Sequence, residues 1–153
     1  YVVDDENRYS VGIYTQADWR FIDRIKIIVG LQGNIVEDVD FDVVPRIGII
    51  INPITQLIIK LLYSQAFRAP FLHELYINHP VLIGNKDLVP EKVHTIDLGV
   101  NLKFDKLQTG INGFYSKQVD IIIQDRSNPV VPFYNNFGEV TFLGYPVEPV
   151  KIG

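Results

Sequence analysis

The sequence predicts an all-β fold, an antiparallel up-and-down transmembrane β-barrel of which about seven strands are present. Three observations carry this prediction: apolar and polar residues alternate, tight turns alternate with longer connections, and the alternating segments are long. A tilted strand that crosses a membrane needs about 9 to 11 residues, whereas an ordinary globular strand has about 5 or 6. About seven strands would be one section of a larger barrel.

The alternation predicts seven strands, the last of which is the least regular. In the first, Val11, Ile13 and Trp19 occupy odd positions, whereas the even positions are mostly polar residues or glycine. Successive side chains of a strand point to opposite faces, so each segment would have one apolar and one polar face. The predicted strands cover residues 9–21, 25–35, 43–51, 55–67, 94–104, 107–121 and 134–147.

Connection lengths support a membrane barrel. Tight turns are predicted at Ile22-Asp23, Asn52-Pro53-Ile54 and Asp105-Lys106, and longer connections at 36–42, 68–91 and 125–133. Outer-membrane barrels have short periplasmic turns and long extracellular loops. The aromatic residues fit two interfacial belts, one beside the turns and one near the other rim: Trp19, Phe21 and Phe104, and Tyr9, Tyr63, Phe67 and Tyr115.

Composition excludes several classes of protein. The chain has no cysteine and no methionine, so there is no disulfide framework, and we expect it to begin inside a longer gene. Residues 1–8 do not resemble a signal peptide, and the longest apolar stretch, 47–62, is too interrupted for a membrane helix. The net charge of −4, without a Lys/Arg-rich run, argues against nucleic acid as a partner.

No motif predicts an enzyme, a cofactor or a metal site. His73, Glu74 and His79 lack the i, i+4 histidine spacing of a zinc metalloprotease helix. Two acidic groups lack the regular spacing of a calcium loop, so solvated acidic loops are the better interpretation. These groups are Asp4, Asp5 and Glu6, and Glu37, Asp38, Asp40 and Asp42.

A long phrase then suggests a family. Residues 63–80 read YSQAFRAPFLHELYINHP and residues 84–104 read GNKDLVPEKVHTIDLGVNLKF. The phrase resembles the barrel of TonB-dependent outer-membrane receptors, although Lys86 and Val89 depart from the usual pattern. The matching residues are Phe67, Arg68, Ala69, Pro70, Glu74, Leu75, Tyr76, Gly84, Asn85, Leu88, Pro90, Glu91, Asp97, Leu98 and Gly99. The similarity continues through GFYSKQVDIII (113–123) and YNNFGEVTFLGYPVE (134–148).

This resemblance implies TonB-dependent active transport across the outer membrane of a Gram-negative bacterium. The substrate would be an iron-siderophore, haem or cobalamin-like nutrient, and the partners would be outer-membrane lipid and the TonB complex. Residues 1–153 would be part of one receptor β-barrel domain, and the plug domain, which couples the receptor to TonB, would lie outside them. Such a section of wall and loops would not transport alone.

Four residues near the long-loop rim are candidate ligand contacts. Tyr76, His73 and His79 combine aromatic and hydrogen-bonding groups on a long loop, where binding residues are common. Arg68 would lie at the same rim, where it could contact ligand but is better explained by pairing with a loop carboxylate.

Two other classes of protein remain open. A soluble all-β binding module would bury the apolar face in a sandwich, and a passive porin or adhesin barrel would share the strands but lack the long phrase. The inward face is unusually apolar at Ile28, Ile50, Ile58, Leu62 and Ile122; contact with a plug is one explanation, and an altered or artificial sequence is another. Pro146 and Pro149 predict that the seventh strand ends there or lies at an edge.

Overall fold

The computed structural model describes residues 8–127, 130–144 and 147–152, and their strands join one sheet. The strands are β1 (Ser10–Ile22), β2 (Ile25–Val36), β3 (Val39–Ile54), β4 (Leu57–Arg68), β5 (Asn78–His79), β6 (Leu82–Ile83), β7 (Glu91–Lys103), β8 (Leu107–Asp125), β9 (Phe133–Gly144) and β10 (Val147–Ile152). Helix α1 (Leu72–Tyr76) lies between β4 and β5. No helix in these described ranges is long and apolar enough to cross a membrane.

Seven long strands form an antiparallel meander in the order β1-β2-β3-β4-β7-β8-β9. The short strands β5 and β6 form a hairpin, which joins β9 through one parallel pair between Ile83 and Phe133. The predicted partial, antiparallel, all-β sheet is therefore confirmed. The predicted strand positions are correct to within a few residues at most of their ends.

The strand register gives the sheet two chemically different faces, because residues directly opposite each other in neighbouring strands share a face. One row across the sheet contains Val29, Ile47, Tyr63, Ile96 and Tyr115. This row lies on the apolar face of the sheet. No described part of the chain covers that face at β1, where Ile13 is 73% exposed. We call it the outer face.

The opposite, inner face is mostly polar. One of its rows contains Gln16, Gly30, Arg46, Ser64 and Thr95. Glycines on this face leave room for the long side chains beside them. A Cβ atom on Gly30 would lie 2.9 Å from the Tyr14 hydroxyl oxygen, so any larger residue at position 30 would require the tyrosine side chain to shift.

The buried core is small and lies at one rim. Leu75, Leu88, Ile122 and Tyr134 form one buried cluster where the loop between β4 and β7 covers β8 and β9. Ile122 is therefore covered by this chain's own loop, which accounts for its apolar side chain without a plug. The sandwich alternative requires a second sheet over the apolar face, and the described strands form one sheet.

Three connections differ from the sequence prediction. The first tight turn is Asp23-Arg24 and not Ile22-Asp23, because Ile22 pairs with Ile25. The connection at 36–42 is a two-residue turn, Glu37-Asp38, in which Asp38 has a φ of 62°, a conformation that aspartate tolerates. The turn between β3 and β4 is Thr55-Gln56 and not Asn52-Pro53-Ile54, because Ile54 pairs with Leu57. A register shift between Ile51 and Ile54 accommodates the proline, which has no backbone N–H to donate.

Of the two outcomes predicted for the seventh strand, the edge position is the one found among the described residues, since β10 pairs with β8 alone. β9 pairs with residues 114–125 of β8, and β10 resumes pairing with residues 107–111 of the same strand. A register shift between Glu148 and Lys151 brackets Pro149, so the proline bends the ladder without ending it. Pro146 lies outside the described residues.

We expect the isolated chain to need detergent. In plain buffer its open apolar face and the edge of β1, which pairs on one side only among the described residues, should drive association, whereas detergent micelles should keep it dispersed with its strand content intact. Size-exclusion chromatography with light scattering, together with circular dichroism, measures both properties. A monodisperse monomer that unfolds cooperatively in plain buffer would contradict the open sheet.

Candidate ligand-binding rim

The loop of residues 69–90 carries most of the candidate ligand contacts. It leaves β4 at Arg68, forms α1 and the β5–β6 hairpin, and enters β7 at Glu91. Tight turns close β1–β2, β3–β4 and β7–β8 at the opposite end of these strands. We call this loop the rim loop.

Arg68 connects the two ends of the rim loop. Its Nε and Nη2 atoms donate to Oε2 and Oε1 of Glu91, at 2.8 and 2.9 Å, so this ion pair is bidentate. Its Nη1 atom donates to Oε2 of Glu74 at 3.0 Å. The carboxylate side chains are 9% exposed and the arginine side chain is 34% exposed. Pairing with loop carboxylates, the better of the two roles expected for Arg68, is therefore present.

The two carboxylates also accept backbone hydrogen bonds. Glu74 accepts from the N–H of Phe71 at 2.7 Å, at the start of α1. Glu91 accepts from the N–H of Ile122 at 2.7 Å, in β8. Buried carboxylates are stable only when charges or donors surround them, and both conditions hold here. The network joins β4, α1, β7 and β8.

Aromatic rings extend this network towards solvent. The guanidinium carbon of Arg68 lies 5.1 Å from the ring centre of Phe71, within cation–π range. The Phe71 and His73 rings are stacked with centres 5.6 Å apart, and His73 meets Tyr134 edge-on at 6.0 Å. His73 is exposed and Tyr134 is buried, so these ring contacts connect the buried core with the surface.

The middle of the rim loop packs closely on itself. The N–H of Gly84 donates to the carbonyl of Ile77 at 2.7 Å, and the N–H of Asn85 donates to the carbonyl of Glu74 at 2.9 Å. A Cβ atom on Gly84 would lie 2.7 Å from the backbone carbonyl of Leu75. Only glycine permits this approach of two backbone segments.

A second arginine attaches the rim loop to the β2–β3 turn. Arg8 donates from Nε to the carbonyl of Glu37 at 2.9 Å and from Nη1 to the carbonyl of Pro70. The N–H of Tyr9 also donates to the Glu37 carboxylate, at 3.1 Å. Neighbouring connections of this rim are thus joined to each other.

The candidate contact residues occupy different parts of the rim loop. His73 lies on α1, and His79 lies exposed in β5, where its Nδ1 atom accepts from the N–H of Val81 at 3.4 Å. Tyr76 ends α1 half-buried, and the ammonium nitrogen of Lys86 lies 5.0 Å from its ring centre. Ligand contact by these residues and by Arg68 stays a prediction.

The acidic groups do not form a metal site in the part of the chain that the structure describes. Glu74 is occupied by Arg68, and Asp42 forms an ion pair with Lys92 at 2.8 Å. Asp4, Asp5 and Glu6 and the side chain of Asp40 lie outside the described residues.

The sequence alone does not single out Phe71, Tyr134 or Asn136 as rim residues. Their contacts join segments that are far apart in the chain, and no local spacing signals such contacts. Only the long phrase from Phe67 to Glu91 indicated that this region has a specific structure.

Comparisons with known proteins give a consistent result. A family model described as TonB dependent receptor-like, beta-barrel, matches residues 1–145. No curated protein matches the sequence.

Solved structures share the fold at low sequence identity. The siderophore receptor PirA from Acinetobacter baumannii is 16% identical with a TM-score of 0.79; the match covers 90% of this chain and 25% of that one. A mutant of the ferric enterobactin receptor PfeA from Pseudomonas aeruginosa, in complex with enterobactin, is 15% identical with a TM-score of 0.82, covering 92% and 24%. The FrpB iron transporter from Neisseria meningitidis is 17% identical with a TM-score of 0.71, covering 90% and 22%. This chain therefore spans about a quarter of their length.

Replacing Arg68 should loosen the rim loop. Arg68→Gln would leave two buried carboxylates without a cation, at a cost of roughly 3 kcal/mol, the lower end for buried pairs because Arg68 is partly exposed. Hydrogen exchange at the amides of Phe71 and Ile122, measured in the intact receptor, should accelerate. Arg46→Gln removes an exposed arginine from the inner face and is the matched control. Unchanged exchange in Arg68→Gln would show that the pairs do not hold the loop.

A methyl group at Gly84 should also displace the loop. Gly84→Ala forces its Cβ against the Leu75 backbone, which cannot move aside cheaply, and overpacking of this kind costs about 1 to 3 kcal/mol. Limited proteolysis should cut residues 69–90 faster than in the parent protein. Gly113→Ala is the control, because its Cβ would meet no atom within 4 Å. Equal cleavage of the two variants would contradict the close approach.

Proposed function

Because this chain belongs to the TonB-dependent receptor-like β-barrel family, we propose that it forms wall and rim loops of a receptor for the active uptake of an iron-siderophore complex. TonB-dependent receptors are transporters and not enzymes, and the family is one of Gram-negative outer-membrane proteins. The observation that carries the proposal is the rim loop, a specific structure that places His73 and His79 at the surface of this barrel section.

The chemistry of the rim suits a polar ligand with aromatic or anionic groups. Exposed imidazoles donate and accept hydrogen bonds, and the Phe71–His73 stack offers ring surfaces. Receptors of similar fold are named for siderophores and for ferric enterobactin, which favours a siderophore over haem or cobalamin. Tyr76, His79, His73 and Arg68 are the proposed contacts.

The outer face would contact outer-membrane lipid. Trp19, Phe21 and Phe104 lie exposed beside the tight turns, and Tyr9 and Tyr115 lie exposed nearer the rim loop. Aromatic girdles of this kind flank the apolar band of outer-membrane barrels. The chain would thus reside in the outer membrane, with the rim loop outside the cell.

The inner face would contact a plug domain that lies outside this chain. Ile28, Ile50 and Leu62 form an apolar area there, with the exposed cations Arg46 and Lys60 beside it. A water-filled lumen would favour polar residues at these positions. Through such a plug the receptor would reach the TonB complex, its proposed energy source.

Uptake by the complete receptor tests the proposal. The gene that contains this chain would be expressed in an iron-starved strain lacking its own receptors, and the transport of radiolabelled ferric enterobactin, a ferric hydroxamate, haem and cobalamin would be measured. We expect uptake of an iron-siderophore complex only when TonB is present. TonB-independent passage would favour a passive porin, and no uptake of any probe would favour an adhesin.

The proposed contacts can be tested in the same strain. His73→Ala and His79→Ala should weaken binding of the transported complex, each by about tenfold, because a lost polar contact costs roughly 1.4 kcal/mol. Tyr76→Phe separates the hydroxyl group from the packing of the ring. Gln108→Ala, at the rim of tight turns, is the control. If all three variants bind the transported complex with unchanged affinity, the ligand does not contact these residues.

A further inference from the structure

The side chain of Asn136 holds the end of the rim loop against the sheet. Asn136 lies in β9 opposite Ile122 of β8. Its Oδ1 atom accepts from the N–H of Val89 at 2.9 Å, and its Nδ2 atom donates to the carbonyl of Val89 at 3.0 Å. The same nitrogen donates its second hydrogen to the carbonyl of Asp120 at 2.6 Å. One side chain thus satisfies three backbone groups.

This arrangement needs a side-chain amide. The side-chain amide of Asn136 makes the same pair of hydrogen bonds with Val89 that the backbone of an antiparallel partner would make: it accepts from the N–H and donates to the carbonyl. Residues 89 and 90 precede β7 and pair with no strand. A carboxylate would place negative charge against the carbonyl oxygens of Val89 and Asp120, because it cannot donate.

The backbone of β8 and β9 is shaped to receive this amide. Asp120 and Gly138 have positive φ values of 56° and 27°. The register pairs Val119 with Glu139 and Ile121 with Phe137 but lacks the pair between Asp120 and Gly138. The Asp120 carbonyl is therefore available to Asn136. Aspartate and glycine both tolerate a positive φ, so the strands can depart from the regular ladder at this point.

We propose that Asn136 is a positioning residue, which fixes the rim loop as a preformed shelf for ligand contact. Arg68 fixes the two ends of the loop to each other, and Asn136 fixes the second end to β8 and β9. Between them, Leu75 and Leu88 are buried against Ile122 and Tyr134. The ligand part of this proposal rests on the proposed function. A shelf that is already ordered avoids the entropy cost of ordering a loop on binding.

Asn136→Asp in the complete receptor, in detergent, tests the proposal. It keeps the size of the side chain and removes both donors. Hydrogen exchange at the amide of Val89 should accelerate at least tenfold in Asn136→Ala, which removes the acceptor Oδ1, and by less in Asn136→Asp, whose carboxylate can still accept this bond while it repels the carbonyl oxygens of Val89 and Asp120. The gel mobility of the unheated, folded barrel should stay unchanged in both variants. Asn52→Asp, an equal change at the rim of tight turns, is the control. Asn136→Ala, which removes the bonds without adding charge, is the second variant in case the first does not fold.

Binding of ferric enterobactin separates positioning from general stability. Asn136→Asp should weaken binding about tenfold. If it acts through the shelf, adding Asn136→Asp to His73→Ala should weaken binding by clearly less than the product of the single effects. Additive effects would overturn a role through the shelf, and unchanged exchange at Val89 would overturn the anchoring. If the parent receptor binds no siderophore, the proposed function fails, and the exchange measurement still decides whether Asn136 anchors the loop.

Discussion

The ion pairs of Arg68 with Glu74 and Glu91 are the interaction on which the rim of this sheet depends. One guanidinium binds carboxylates 6 and 23 residues further along the chain, and both carboxylates are almost fully buried. Each carboxylate also fixes a backbone amide, at Phe71 or at Ile122. A strand end, a helix start and two further strands are therefore held by one cation. Removing it would leave two largely buried charges without a cation.

This rim differs from the rest of the sheet in how it is stabilised. Elsewhere the described strands form a single layer, whose stability comes from ladders of backbone hydrogen bonds and whose apolar face stays open. At the rim the loop lies over β8 and β9 and buries Leu75, Leu88, Ile122 and Tyr134 together. The candidate ligand contacts belong to this packed loop. Buried side chains beneath the loop hold those residues in position.

Much of the fold follows from the sequence, because alternation is local. A strand with one apolar face needs a period of two, and this period predicted the seven long strands within a few residues. The errors occurred at connections. Glu37-Asp38 turns tightly because Asp38 adopts a positive φ, and Asn52-Pro53 lies within β3 because the strand shifts its register there. Propensity alone does not decide whether a turn residue makes a turn or a bulge.

By itself, the sequence determined the two faces of the strands, their antiparallel order and, through the phrase from Phe67 to Glu91, the family resemblance. Only the tertiary structure decided which contacts the residues of that region make. It places Arg68 between Glu74 and Glu91, Ile122 beneath the chain's own loop and Asn136 against Val89. The physical reason is one of range. Alternation follows from the geometry of neighbouring residues, whereas these contacts exist only after strands distant in the chain have paired in one register.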